Sequence, residues 1–295
     1  MDNFKPTQRQ EPRGNQQMRT KHTKWVQSGV FTVLLVLLMA TLPGAAIADT
    51  VLITGANSGL GLEFTKQFAT RGWTVIATHR RTGIPESLLE VTGKYKNVQV
   101  EQMDVTNQEQ IRALAVKLKD VAIDVLINNA GVYNDRSACT TEDCAGDWSN
   151  QGFGKLNYPL FDTIMAVNVK GPLLVAEAFL ANVKAGKQKK IISVSSTNGS
   201  LTEQLPGSGA IFYRASKAAL NRAMQLVATA EKDEGVIVVL LHPGAVLTER
   251  QAYLAKYEGM VKMPDSVQGM VKVIDQITIQ DTGRFIVYDG TTAPW

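Results

Sequence analysis

Seven short runs of apolar and β-branched residues recur along this chain, at 50–54, 74–78, 98–103, 123–128, 190–195, 236–241 and 284–288, and stretches of helical composition separate them. Several runs are apolar without alternation, as in Val51-Leu52-Ile53 and Val125-Leu126-Ile127. A strand with apolar residues on both sides needs cover on both faces, which is the condition of a parallel sheet with helices above and below. Strands alternating with helices imply right-handed crossovers. The expected fold class is therefore α/β, one doubly wound domain with a parallel sheet of about seven strands. No internal repeat, low-complexity tract or second-domain linker interrupts the pattern. The segments 133–153 and 245–263 are the least regular in composition.

Polar motifs close several of these runs, at the carboxyl ends of strands where open parallel sheets bind ligands. After the first run comes Thr54-Gly55-Ala56-Asn57-Ser58-Gly59-Leu60-Gly61, ahead of a helical stretch from Leu62. Strand, glycine-rich turn and helix make a phosphate cradle: glycine permits the tight turn and the close backbone approach, and the helix start offers free N–H groups. The spacing is not G-x-G-x-x-G. Asn128-Asn129-Ala130-Gly131 closes the fourth run and Ser195-Ser196 the fifth. Tyr213-Arg-Ala-Ser-Lys217 lies in a stretch that reads as a helix over 212–230, so the phenol and the ammonium share one face. A nearby cation lowers the pKa of a phenol, and on this ground Lys217 is expected to activate Tyr213.

With these motifs in order, the chain resembles the short-chain dehydrogenase/reductases over about residues 50–295, and within them the carbonyl-reductase and C-factor-like branch. Branch-like features are Asn168 in Ala-Val-Asn-Val-Lys-Gly-Pro, His242-Pro243-Gly244 and the terminal Tyr288-Asp-Gly-Thr-Thr-Ala-Pro-Trp295. The resemblance implies a Rossmann-like catalytic domain over 49–295 that transfers hydride between a nicotinamide cofactor and a carbonyl or alcohol. It implies Tyr213 as general acid, Lys217 on the nicotinamide ribose, and a serine beside the reacting oxygen. Ser196 is favoured over Ser195, because Ser196-Thr-Asn-Gly199 fits the usual Ser-x-x-Gly. Asn168 would hold a water in a proton relay. Gly55, Asn57, Ser58, Gly59, Leu60 and Gly61 would cradle the cofactor phosphates, Asp104 would bond the adenine, and Asn129, Ala130 and Gly131 would line the adenosine. Pro243, Gly244 and Thr248 would flank the nicotinamide.

The second run ends Ala77-Thr78-His79-Arg80-Arg81, with no carboxylate to bind ribose hydroxyls. A 2′-phosphate would instead find a guanidinium, so NADP(H) is favoured over NAD(H), with Arg80 as its partner. Ser58 departs from the Lys or Arg that many NADP-using relatives carry there. A nucleotide-binding sensor or extracellular signalling protein on the same fold is the alternative, since fold alone does not fix chemistry. The intact set Asn168, Ser196, Tyr213 and Lys217 favours the enzyme.

Composition is that of an ordinary globular enzyme, at 44% hydrophobic and 20% charged residues. The net charge of +4 belongs to the first 24 residues; beyond them basic and acidic side chains balance, so no nucleic-acid partner is expected. The uncharged stretch 25–48 follows this basic tail and ends Ala46-Ile47-Ala48. That order matches an export signal cleaved after Ala48. An uncleaved membrane anchor and a cytosolic product starting at Met39 are the competing readings. Cys139 and Cys144 could bridge in an oxidising compartment or stand as free thiols. The three histidines (His22, His79, His242) are scattered and suggest no metal site. Oligomeric state is open.

Overall fold

The first apolar run becomes β1 (Thr50–Ile53), buried along its whole length in mid-sheet. The computed structural model describes residues 48–134, 149–203, 207–247 and 259–295. The leader through Ile47, the cysteines Cys139 and Cys144, and Thr248 lie outside the described residues. From β1 the chain runs through α1 (Gly59–Thr70), β2 (Thr74–His79), α2 (Glu86–Lys94), β3 (Val98–Gln102), α3 (Gln108–Lys117) and β4 (Val125–Asn128). Next come α4 (Tyr158–Met165), a π-helical stretch (Ala166–Lys170), α5 (Gly171–Ala178), α6 (Leu180–Ala185) and β5 (Lys190–Val194). The long α7 (Ile211–Glu231), β6 (Ile237–His242), the short β7 (Val246–Leu247) and β8 (Val261–Lys262), α8 (Met263–Gln276) and β9 (Phe285–Val287) complete it.

All seven expected strands form, in one parallel sheet of order β3-β2-β1-β4-β5-β6-β9. The order reverses between β1 and β4, which opens a crevice at their carboxyl ends. The continuous apolar runs are explained by the two layers they serve. Val51, Ile53, Val75 and Ile127 pack under α1 and α8, against Phe64, Phe68 and Met270. Leu52, Ile76, Leu126 and Ile191 face α3, α5 and α7, against Leu114, Val175 and Met224.

The continuous helical stretch Tyr158–Ala178 is long and apolar enough to cross a membrane by composition, and it is partly buried in the molecule. Its buried side chains, Ile164, Val167 and Val175 among them, pack into the protein core.

Polar groups close the amino edge of the sheet. Buried Asp124 accepts from the Thr50 and Lys187 N–H groups, both at 2.8 Å, and from Gln188 N–H at 3.3 Å. Lys190 donates its buried ammonium to the Ile274 carbonyl (2.6 Å) and to Gln188 Oε1 (2.9 Å). Asp49 accepts from Gln188 Nε2 at 2.9 Å and stands 3.6 Å from Lys187 Nζ.

Candidate active site

The glycine-rich turn leaves β1 at Thr54, whose buried hydroxyl accepts from the N–H groups of Asn129 and Ala130, both at 3.0 Å. Asn129 returns its amide to the carbonyls of Thr54 (2.9 Å) and Gly55 (3.2 Å). The two crevice strands are thus stitched together just beyond their ends. At two positions this stitching demands glycine. Gly55 is left-handed (φ +66°) and rests on Ala130, and a Cβ at Gly61 would meet Gly55 O at 2.3 Å and Asn129 Nδ2 at 2.5 Å. Gly59 is also left-handed (φ +54°), but a Cβ there would meet only open space.

Ser58 caps α1 without spending its side chain, and the first intrahelical bond is Leu62 N–H to Ser58 O. The N–H groups of Gly59, Leu60 and Gly61 precede it and face the crevice end of the helix, the arrangement that receives an anion. Asn57 holds the turn through its carbonyl, which accepts from Ser87 Oγ at 2.8 Å. The residues present therefore fit a dinucleotide pyrophosphate. Arg80 directly follows β2 and is exposed, as is Arg81, and neither pairs with a described carboxylate. Asp104 spends Oδ1 on the N–H and hydroxyl of Thr106, both at 2.8 Å, which shapes the turn after β3.

The reacting end lies across the crevice. Tyr213 and Lys217 share a face of α7, with the Lys217 ammonium 5.7 Å from the Tyr213 ring centroid. Lys217 is buried and donates to the Val194 carbonyl at 3.0 Å. Ser196 and Ser195 part company here. Buried Ser195 gives its hydroxyl to Asn221 Oδ1 at 2.5 Å, whereas Ser196 hydrogen-bonds the Tyr213 side chain and caps the turn Thr197–Gly199. Asn168 sits in the π-helical stretch, a feature common at functional sites. Its side-chain amide is committed to Val132, accepting from N–H at 2.8 Å and donating to O at 2.7 Å, and to Ser216 Oγ at 3.0 Å. The side chain thus braces the strand exit against α7 rather than reaching toward Lys217.

The expected activation of Tyr213 by Lys217 is not what the free protein shows. Burial pushes the Tyr213 pKa up to about 12, the Ser196 hydrogen bond pulls it back, and Tyr133 pushes it further up. Burial also draws Lys217 down to about 8. Desolvation of a phenol outweighs an ammonium that lies over its ring face and is held by a carbonyl. Tyr213 is consequently a protonated phenol at neutral pH, the form a proton donor needs.

Further residues complete the site, and two of them, Gln151 and Tyr133, carry no local sequence signal. Fully buried Gln151 donates to the Tyr133 carbonyl (2.6 Å) and accepts from the Tyr213 N–H (3.1 Å), and so ties the irregular loop to the first turn of α7. Tyr133 meets the Tyr213 ring edge-on, with centroids 6.4 Å apart. His242 Nε2 lies 3.5 Å from Thr197 Oγ1, and burial lowers its pKa to about 4. Pro243 accepts from Ser266 Oγ at 2.6 Å, and Gly244 (φ +82°) lies against the Tyr288 ring, 2.9 Å from where its Cβ would stand.

A doubly wound sheet carrying this turn and this Ser-Tyr-Lys group at one edge defines a nucleotide-dependent oxidoreductase. The chain belongs to the short chain dehydrogenase family, whose pattern matches residues 49–259. It is 37% identical over 185 residues to C-signal of Myxococcus xanthus, covering 63% of this chain and all of that protein. It is 32% identical over 250 residues to 1-hydroxy-2-glutathionyl-2-methyl-3-butene dehydrogenase of a Rhodococcus species, covering 84% of this chain and all of the relative. Among solved structures, NADPH-bound carbonyl reductase from chicken fatty liver superposes with a TM-score of 0.73 at 30% identity, over 84% of this chain and 99% of that one. The protein is thus an NAD(P)-dependent oxidoreductase with a small-molecule substrate.

Proposed function

We propose that this protein is an NADPH-dependent carbonyl reductase in which Ser196, Tyr213 and Lys217 carry the chemistry and Asn168 braces it. The observation that carries the reading is the Lys217 ammonium 5.7 Å from the ring of a partly buried, protonated Tyr213, whose pKa the neighbouring Ser196 hydroxyl lowers. When bound, the reduced nicotinamide supplies a hydride to the carbonyl carbon. The Tyr213 phenol gives its proton to the carbonyl oxygen, and the Ser196 hydroxyl donates to the same oxygen as charge builds on it. Lys217 holds the nicotinamide ribose, and its charge limits the cost of the phenolate left on Tyr213. Pro243 and Gly244 would flank the nicotinamide, a role the family resemblance extends to Thr248.

Gly55, Asn57, Ser58, Gly59, Leu60 and Gly61 hold the pyrophosphate, with Asn129, Ala130 and Gly131 along the adenosine and Asp104 at the adenine. Preference for NADP(H) rests on Arg80, an exposed guanidinium at the end of β2 with no described carboxylate beside it. The NADPH in the chicken enzyme agrees with this choice.

Incubating the purified protein with NADPH or NADH and a panel of aldehydes, ketones and quinones tests the reading. Substrate-dependent oxidation of NADPH is expected. Tight nucleotide binding with no turnover on any of them would instead favour a sensor, the reading that the likeness to C-signal keeps in view. Export or anchoring by residues 1–48 is proposed on sequence alone. The intact mass of the protein from its native cells separates a start at Asp49 from Met39 or Met1.

A further inference from the structure

The segment 288–295, distinctive in the sequence, has no part in the chemistry above. It folds back along β9, with Val287 N–H bonded to Thr291 O (2.8 Å) and Ala293 N–H to Phe285 O (2.9 Å). Its end packs the Trp295 ring against Phe285, with centroids 5.7 Å apart. There four donors converge on the main-chain oxygen of Trp295. They are the N–H groups of Leu201 (3.0 Å) and Thr202 (2.8 Å) and the hydroxyls of Ser200 (2.9 Å) and Thr202 (2.6 Å). Among the described residues this oxygen is the one hydrogen-bonded tie that Leu201 and Thr202 have outside their own loop. Leu201 is otherwise 86% exposed.

Those donors directly follow the turn Thr197–Gly199, which Ser196 caps by accepting from Asn198 N–H at 3.2 Å. On its other side the turn presses on the catalytic helix. A Cβ at Gly199 would meet the Lys217 carbonyl carbon at 2.6 Å and Ala218 N at 2.7 Å. The turn is therefore gripped between α7 and the tail, and the Ser196 hydroxyl is what the grip aims. We propose that the 288–295 tail is a latch holding Ser196 in register with Tyr213, and that Ser200 and Thr202 are the positioning residues through which it acts. The proposal rests on the reading that Ser196 and Tyr213 share the proton chemistry.

The test uses the whole protein with NADPH and its best carbonyl substrate, comparing the double substitution Ser200→Ala/Thr202→Val with Thr202→Ser and the wild type. The double variant should lose about tenfold in kcat, the scale of a displaced oxyanion donor, with NADPH affinity held within about twofold. Because the Ser196 bond lowers the Tyr213 pKa, slackening it moves the alkaline limb of the kcat profile to higher pH. A merely softened fold would lower activity at every pH without moving that limb. Thr202→Ser keeps the hydroxyl donor and should restore both the rate and the limb. An unchanged kcat and limb in the double variant, or a loss that Thr202→Ser shares, overturns the latch. Ser196→Ala and Tyr213→Phe in the same assay separate the two readings. If they keep full activity, the assigned chemistry fails; if they lose it while the double variant matches wild type, only the latch fails.

Discussion

The two edges of the sheet both bury polar groups and treat them differently. At the amino edge the groups satisfy one another: both oxygens of Asp124 are filled by backbone N–H groups, and Lys190 has two acceptors. At the carboxyl edge they do not. Three strands end on a side chain with a buried atom that has no hydrogen-bond partner among the described residues: His79 Nδ1 on β2, Asn128 Oδ1 on β4 and His242 Nδ1 on β6. A buried polar atom without a partner costs free energy that a structural edge has no reason to retain. The same carboxyl edge holds Tyr213 and Lys217, whose pKa values burial displaces in opposite directions. Closed valences mark the edge that holds the fold, and open ones the edge that does the work.

The largest test is Tyr213→Phe. Removing the proton while keeping the ring should lower kcat by about a thousandfold and leave NADPH affinity, read by fluorescence titration, nearly unchanged. Near-normal turnover would break the functional half of the comparison. The matching change at the other edge is Asp124→Ala, which strands the buried N–H of Thr50 and takes the acceptor from the Lys187 N–H. It should cost about 3 kcal/mol in urea unfolding, with kcat per folded molecule preserved. A loss of kcat with no loss of stability would erase the division of labour.

His242 ties the open edge to acid sensitivity. Its folded pKa of about 4 lies below the ordinary 6.5, so it stays neutral in the native state while the unfolded chain takes up a proton. Stability from this group is complete above pH 6.5 and lost as pH falls toward 4, by up to about 3 kcal/mol. His242→Asn should flatten that part of the unfolding profile, and an unaltered acid slope would contradict the assignment. The smallest effect is Arg80→Ala, expected to weaken NADPH roughly tenfold and NADH little, since one charge-assisted pair is lost. Equal losses for both cofactors would remove Arg80 from the phosphate.

The sheet was legible because each strand carries its own signal. An unbroken run such as Val51-Leu52-Ile53 states that both of its faces are covered, and the glycine turn after it states where the sheet opens. Tyr213 and Lys217 were equally plain, because one helix fixes their spacing. The supports were not legible. Gln151 meets Tyr213 across 62 residues, and Trp295 meets Thr202 across 93, with nothing local to announce either contact. The π-helical winding around Asn168 has no composition of its own. The ionisation of Tyr213 escaped for a further reason: the spacing showed the cation, but not the desolvation that raises the phenol's pKa.

One consequence of the way Asp49 is held concerns what can be attached to this protein. Asp49 is fastened at the amino edge by Gln188 and Lys187, and its carbonyl accepts from Thr74 N–H at 2.9 Å. The exposed Ala48 precedes it, and β1 then runs about 13 Å before it reaches the glycine turn. An affinity handle, a solid support or a fused carrier joined ahead of Asp49 is therefore offset from the crevice mouth by the length of a strand. Immobilised through that end, the protein keeps its mouth free for traffic.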